Sequence, residues 1–139
     1  MDQDTLKEEI LNIMNEHKHG TLATVKKNRP HSRYMTYFNE GFTLFTPTDK
    51  ETHKTEEIEE NPNVHILLGY EGGGIGDQYV EVEGKAEIRE DADTKKGIWQ
   101  EDFANWFDGP EDPDYIILEI TPVRIRLMNT GEGPHSIEF

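Results

Sequence analysis

With 139 residues, the chain has room for one domain around one core, spanning residues 1–139. A formal net charge of -15 at pH 7 and a pI near 4.7 exclude the basic footprint that nucleic-acid or anionic-membrane binding requires. Cysteine is absent, which excludes disulfides, thiolate nucleophiles and zinc–thiolate sites.

The first element is an amphipathic helix over residues 5–17, with Thr5 and Glu8 at capping-box spacing and Leu6, Ile10, Ile13 and Met14 on one stripe. Gly20 is placed to end it in a left-handed conformation. The period then changes to two. Residues 21–25 alternate, Lys27-Asn28-Arg29-Pro30 turns, residues 31–38 form a second strand, Asn39-Glu40-Gly41 turns again and residues 42–46 form a third. A short polar helix over residues 52–60 stops at Asn61-Pro62. Residues 64–70 read as a buried strand, residues 71–77 as a flexible glycine-rich hairpin tip, and residues 79–89 as an alternating strand broken at Gly84. A helix over residues 92–107 carries Ile98, Trp99, Phe103 and Trp106, and a mobile acidic loop, 108–114, follows. Two final strands, 115–120 and 123–128, flank Pro122, and the tail from Asn129 to Phe139 is read as irregular.

Short turns between neighbouring strands imply antiparallel pairing, and about seven strands with few helices imply a small barrel in a mainly β, α+β chain. The apolar content is low, 33% with mean hydropathy -0.82, so burying one face against a second copy would be favourable. The polar first nine residues contain no signal-peptide pattern, and no stretch approaches the roughly 18 apolar residues of a membrane span. A cytoplasmic protein without membrane or nucleic-acid partners is the expectation.

Charge is unevenly placed. Residues 26–54 hold six cations (Lys26, Lys27, Arg29, Arg33, Lys50 and Lys54) against three anions (Glu40, Asp49 and Glu51). A locally basic stretch in an acidic chain suggests a small-anion site, with a chance cluster of turn lysines as the alternative. Thr52-His53-Lys54 opens the second helix, where unpaired backbone N–H groups, a hydroxyl and an ammonium could hold a phosphate, with Arg33 adding a bidentate fork. By spacing alone, an ordinary N-cap beside a solvated lysine is the simpler reading. The glycine run Gly72-Gly73-Gly74-Ile75-Gly76 is followed by no helix and is not a dinucleotide loop. The scattered histidines make no metal pattern, and no serine has a nucleophile's partners. Trp106, beside the acidic loop, is a candidate lid.

These residues carry a resemblance. Phe45-Thr46, Thr52-His53-Lys54 and Ile58-Glu59-Glu60-Asn61-Pro62-Asn63-Val64 follow in the order of the tyrosine–threonine, serine–arginine–lysine and Ile-Glu-x-Asn-Pro-x-Val blocks of the pyridoxamine-phosphate-oxidase-like flavin-binding split barrels. Arg33, and Gln78 ahead of Gly84-Lys85-Ala86-Glu87, match further points of that pattern. The chain resembles their short general-stress branch from the first helix to about Met128.

The resemblance implies an antiparallel split β-barrel with flanking helices, dimeric, with FMN at the dimer interface and FAD or a deazaflavin as alternatives. It implies that Arg33 and Lys54, helped by Thr52 and the His53 backbone, hold the phosphate. Tyr34, Met35 and Thr36 would run along the isoalloxazine, Phe45 and Thr46 would line the pocket, and Gln78 would contact the flavin at or across the interface. His53 stands where the oxidases have arginine, and the tail lacks the arginine-bearing segment with which they end. The resemblance therefore points to a flavin-dependent oxidoreductase using a small-molecule electron donor or acceptor, and away from vitamin B6 oxidation. A flavin-buffering module, or a haem protein with iron on His53 or His65, is the competing reading.

Overall fold

Helix α1 (Gln3–Glu16) begins two residues earlier than its sequence pattern predicts, because Asp2 accepts the Thr5 N–H at 2.8 Å and caps it. The structure, a computed structural model, describes the backbone of residues 1–139 and every side chain except that of His53. Leu6, Ile10 and Met14 are the buried stripe of α1. Gly20 does not end this helix. It lies within β1 (His19–Lys26), where a Cβ would stand 2.4 Å from the Leu67 carbonyl oxygen of the neighbouring strand.

Strand β2 (Arg29–Thr36) folds back on β1 through Lys27 and Asn28, both at positive φ, the geometry a two-residue hairpin turn needs. The predicted strand 31–38 is divided at Tyr37. There the chain leaves β1 and continues as β3 (Phe38–Glu40), which pairs with β4 (Thr43–Asp49). Helix α2 (His53–Glu60), β5 (Asn63–Leu68) and β6 (Tyr79–Arg89) follow. Between β5 and β6, Asp77 accepts the Glu71 and Gly73 N–H groups at 2.8 Å, and Asn129 donates to the Asp77 carbonyl at 3.1 Å. The glycine-rich tip is thus tied at its base.

The single helix predicted over residues 92–107 is two pieces. Helix α3 (Ala92–Ile98) ends where Trp99 turns extended, and a 3-10 helix (Glu101–Asn105) follows. The break lets Trp99, Phe103 and Phe107 gather around Tyr115, with centroids 5.2–6.1 Å from its ring.

The strands predicted on either side of Pro122 are one, β7 (Tyr115–Met128). On one edge β7 pairs with β4 as far as Ile120 and then, from Arg124, with β8 (His135–Glu138). Pro122 falls between these two ladders, so its missing N–H costs neither a bond. On the other edge it faces Gly84, where the β6 register shifts. The tail read as irregular supplies β8, whose Ile137 is buried in the core, a single apolar residue too isolated to give a strand signal.

The sheet runs β2-β1-β5-β6-β7-β4-β3, antiparallel throughout, with β8 added on β7. Its two ends, β2 and β3, are successive parts of one chain segment, so the sheet curls into a split barrel. Leu22, Tyr37, Leu44, Ile66, Val82, Leu118 and Ile125 fill it, and α1 covers the core. Each such side chain contributes about 1.5–3 kcal/mol by burial. No helix is long and apolar enough to cross a membrane.

A Cβ at Gly84 would lie 2.7 Å from Ile120 Cγ2 and 2.9 Å from the Thr121 carbonyl oxygen. Gly84→Ala is expected to lose about 1–3 kcal/mol by overpacking. Urea unfolding measures this, and a wild-type midpoint would contradict the close approach.

Candidate functional site: a cleft in the barrel split

β2 and β4 are not hydrogen-bonded to each other, and the split between them is a cleft of about 480 Å³. Tyr34, Met35 and Thr36 form one wall, and Pro47, Thr48 and Asp49 at the end of β4 form the other. Phe103, Trp106 and Phe107 close the top, while Thr52 and Lys54 of the α2 entrance stand at one end, and His19 also reaches the rim. Tyr34 and Trp106 remain 84% and 73% exposed, two large rings left in water beside one cleft.

The aromatic wall is held in place. Lys95, itself buried, donates to the Asp112 carbonyl at 2.9 Å and lies over the Tyr115 ring, and the Tyr115 hydroxyl donates to the Lys95 carbonyl at 2.7 Å. Asp112 accepts the Asp108 and Asp114 N–H groups at 2.9 Å, so the acidic loop predicted to be mobile is fastened at both ends.

At the α2 entrance, Thr52 has the extended backbone of an N-cap but makes no side-chain capping bond. Its hydroxyl donates to the Asp49 carbonyl at 2.9 Å and receives Lys54 Nζ at 3.1 Å. Lys54 Nζ also donates to Thr48 Oγ1 at 2.8 Å and has no ion-pair partner among the described residues. Burial, and then the nearby Arg33 charge, hold its ammonium below the ordinary lysine pKa. A bound anion would offset both effects.

Arg33 is committed differently from the sequence expectation. Its Nη1 donates to Thr24 Oγ1 at 2.8 Å and to the Leu22 carbonyl at 3.2 Å, and its Nη2 to Glu57 Oε2 at 3.2 Å. The Glu57 side chain is only 2% exposed, receives the Thr24 hydroxyl as well, and has His31 Nδ1 at 3.3 Å. Burial alone would raise the Glu57 carboxyl. Thr24, Arg33 and His31 together reverse that and leave it below the ordinary glutamate value. Arg33 is thus the counter-ion of a buried carboxylate as well as a neighbour of Lys54.

Of the residues expected at the site, Tyr34, Met35, Thr36, Thr52, Lys54 and Trp106 line the cleft. Arg33 borders Thr52 and Lys54 on their other side. Phe45 is buried behind the wall against Phe103 and Tyr115. Thr46 is fully buried one pleat from Thr48, and its hydroxyl has no partner among the described residues. Gln78 is exposed just before β6, away from the cleft of its own chain. The His53 side chain lies outside the described residues. His65, the other histidine considered for haem, places Nε2 at 2.9 Å from Glu81 on the outer sheet face. Among the described residues no His, Asp and Glu side chains converge as a metal site. Sequence reading missed Thr48, Pro47 and Phe107, and above all Glu57, which nothing in the run Glu56-Glu57-Ile58-Glu59-Glu60 sets apart from its neighbours.

The family model described as pyridoxamine 5'-phosphate oxidase matches residues 6–129. The chain belongs to that family. Within the pyridoxamine 5'-phosphate oxidase family it is 58% identical over 140 residues to General stress protein 26 of Bacillus subtilis (strain 168), covering 100% of both chains. The crystal structure of the General Stress Protein 26 from Bacillus anthracis str. Sterne has a TM-score of 0.86 at 38% identity, over 96% of this chain and 98% of that one. An FAD-binding protein from Mesorhizobium loti shares the fold, with a TM-score of 0.70 at 19% identity over 94% of this chain and 93% of its own.

Removing the Glu57 carboxylate strands Arg33. Glu57→Ala is expected to cost about 3–5 kcal/mol at pH 7, the range for breaking a buried ion pair. Because the folded carboxyl sits below its unfolded value, its stabilisation is complete above the unfolded pKa and is lost as pH falls through the folded one. Urea unfolding across the acid range should therefore show variant and wild type converging, and a constant gap would contradict the pairing.

Proposed function

We propose that the chain binds FMN in the β2–β4 cleft and acts as a flavin-dependent oxidoreductase of the general stress type, with the site completed by a second copy. The observation that carries this reading is Lys54, a half-buried ammonium with hydroxyl partners and no carboxylate, at the uncapped entrance of α2 and at the end of a largely apolar cleft. That donor set fits a phosphate, and the cleft volume is within the roughly 300–1,000 Å³ of small-molecule sites. Family membership adds to the reading.

In this arrangement Lys54 and Thr52 hold the phosphate, and Arg33, anchored on Glu57, adds positive charge beside it. Tyr34, Met35 and Thr36 border the ring system through side-chain contact and backbone polar groups, and Trp106 shields it from water. The flavin, when bound, supplies the hydride or electron chemistry, exchanged with a small-molecule donor or acceptor. Homodimerisation would cover the exposed Tyr34 and bring Gln78 to the partner's cleft. Strand β8 carries no arginine and is spent on pairing with β7, so pyridoxamine phosphate oxidation is not part of the proposal.

Lys54→Met is the clean test, since Lys54 supports no buried acid, whereas Arg33→Ala would also strand Glu57. Calorimetric titration with FMN is expected to show a loss of about 1.5–3 kcal/mol, the scale of a charged hydrogen bond. Unchanged affinity would remove the phosphate site. Anaerobic NADH or NADPH should bleach the bound flavin, while an inert yellow protein would indicate flavin buffering instead. Light scattering should give a dimer, and a monomer at high concentration would contradict the shared site.

A further inference from the structure

The C-terminal end of α1 and the glycine-rich tip between β5 and β6 meet at one histidine. His17 closes α1, and its backbone N–H donates to the Ile13 carbonyl at 3.1 Å. Its ring Nδ1 donates to the same carbonyl at 2.9 Å, and its Nε2 stands 2.9 Å from Glu71 Oε1. Gly69, at φ +101°, sets this approach, since a Cβ there would lie 2.6 Å from Ile13 Cγ2. Just beyond it the chain presents Glu71 to the ring.

Both ring nitrogens therefore face oxygen acceptors. A neutral imidazole carries one N–H, so either tautomer would turn a lone pair towards an oxygen. Only the imidazolium donates at both ends. Its charge also suits the negative end of α1, whose last turn has no basic residue. The Glu71 carboxylate raises the His17 pKa above its ordinary value; partial burial opposes this, and the Ile13 carbonyl and Glu16 assist. Lys18, the neighbouring cation, lies over the Phe38 ring instead, and Asp77, the other acid of the tip, is occupied by the Glu71 and Gly73 N–H groups.

The ion pair holds the tip. Gly74 and Ile75 form one side of an apolar groove of about 440 Å³ with Leu67, Tyr70 and Tyr79, and the tip runs directly into Gln78. Its remaining ties, to Asp77 and Asn129, contain no group that titrates near neutrality.

We propose that His17 and Glu71 form a proton-operated latch, which fastens the 71–77 tip to α1 when the ring is protonated and releases it on deprotonation. Because the folded pKa is raised, the hold is complete below the ordinary histidine value and is lost as pH rises through the folded one. Glu71 is 72% exposed, so the hold is that of a surface pair, and its loss frees the tip without opening the barrel. The latch needs no bound cofactor.

The test is pulse-labelled hydrogen exchange of the full chain from about pH 6 to about pH 8.5, the range in which a histidine of raised pKa titrates, with rates corrected for intrinsic exchange. NMR titration of the His17 ring accompanies it. Tip amides should exchange about two- to fivefold faster once the ring loses its proton, while those of β6 stay unchanged. Glu71→Ala keeps the backbone ties to Asp77, and should show the released rate already at the acid end, without a step, and a lower His17 midpoint. A wild-type tip with no pH step, a step that survives in Glu71→Ala, or a His17 midpoint unmoved by that substitution overturns the latch.

Discussion

Tyr37 is where the barrel is decided. Up to Thr36 the chain is a strand of the β1 hairpin, and from Phe38 it is a strand of the β4 hairpin, so one segment has to serve both ends of a curled sheet. Tyr37 makes that exchange possible. Its N–H donates to the Lys18 carbonyl at 2.6 Å, its ring is buried in the core, and its hydroxyl donates to the Thr21 carbonyl at 2.8 Å, with burial pushing the phenol pKa up. Because β2 and β4 then diverge, their facing edges stay unpaired, and the cleft is the consequence. Backbone polar groups that a closed barrel would use internally become available at the site.

The same divergence explains the electrostatics. Helix α2 comes down beside the split, bringing Lys54 to one side of Arg33 and Glu57 to the other. A buried carboxylate is tolerable only with partners, and Arg33, Thr24 and His31 supply them. Lys54 is left with hydroxyls alone, and the charge it lacks is the charge a phosphate would bring. A strongly acidic chain thus keeps a small cationic site by spending one internal carboxylate to fix its arginine.

Much of the fold was legible because its signals are local. The α1 stripe, the Lys27-Asn28 turn and the alternation of β6 depend on neighbours a few residues away. Readings failed where distant contacts overruled them. Gly20 was explained by the β5 backbone rather than by a helix end, and Pro122 was harmless because β7 changes partners there. The helix over 92–107 broke because three aromatic rings, Trp99, Phe103 and Phe107, pack better around Tyr115 than along one cylinder. Ile137 alone could not announce β8.

For the site, the sequence by itself determined the donors: a hydroxyl and a lysine at a helix entrance, an arginine on the preceding strand, and the ordered blocks that carry the family resemblance. Only the tertiary structure decided how those donors are committed. Whether a cation is free or paired depends on which carboxylate lies within hydrogen-bond reach after folding, and Glu57 stands 24 residues from Arg33 along the chain. Periodicity records which face of an element is buried. It does not record which charges end up together, and that pairing made Lys54, rather than Arg33, the group left open to an anion.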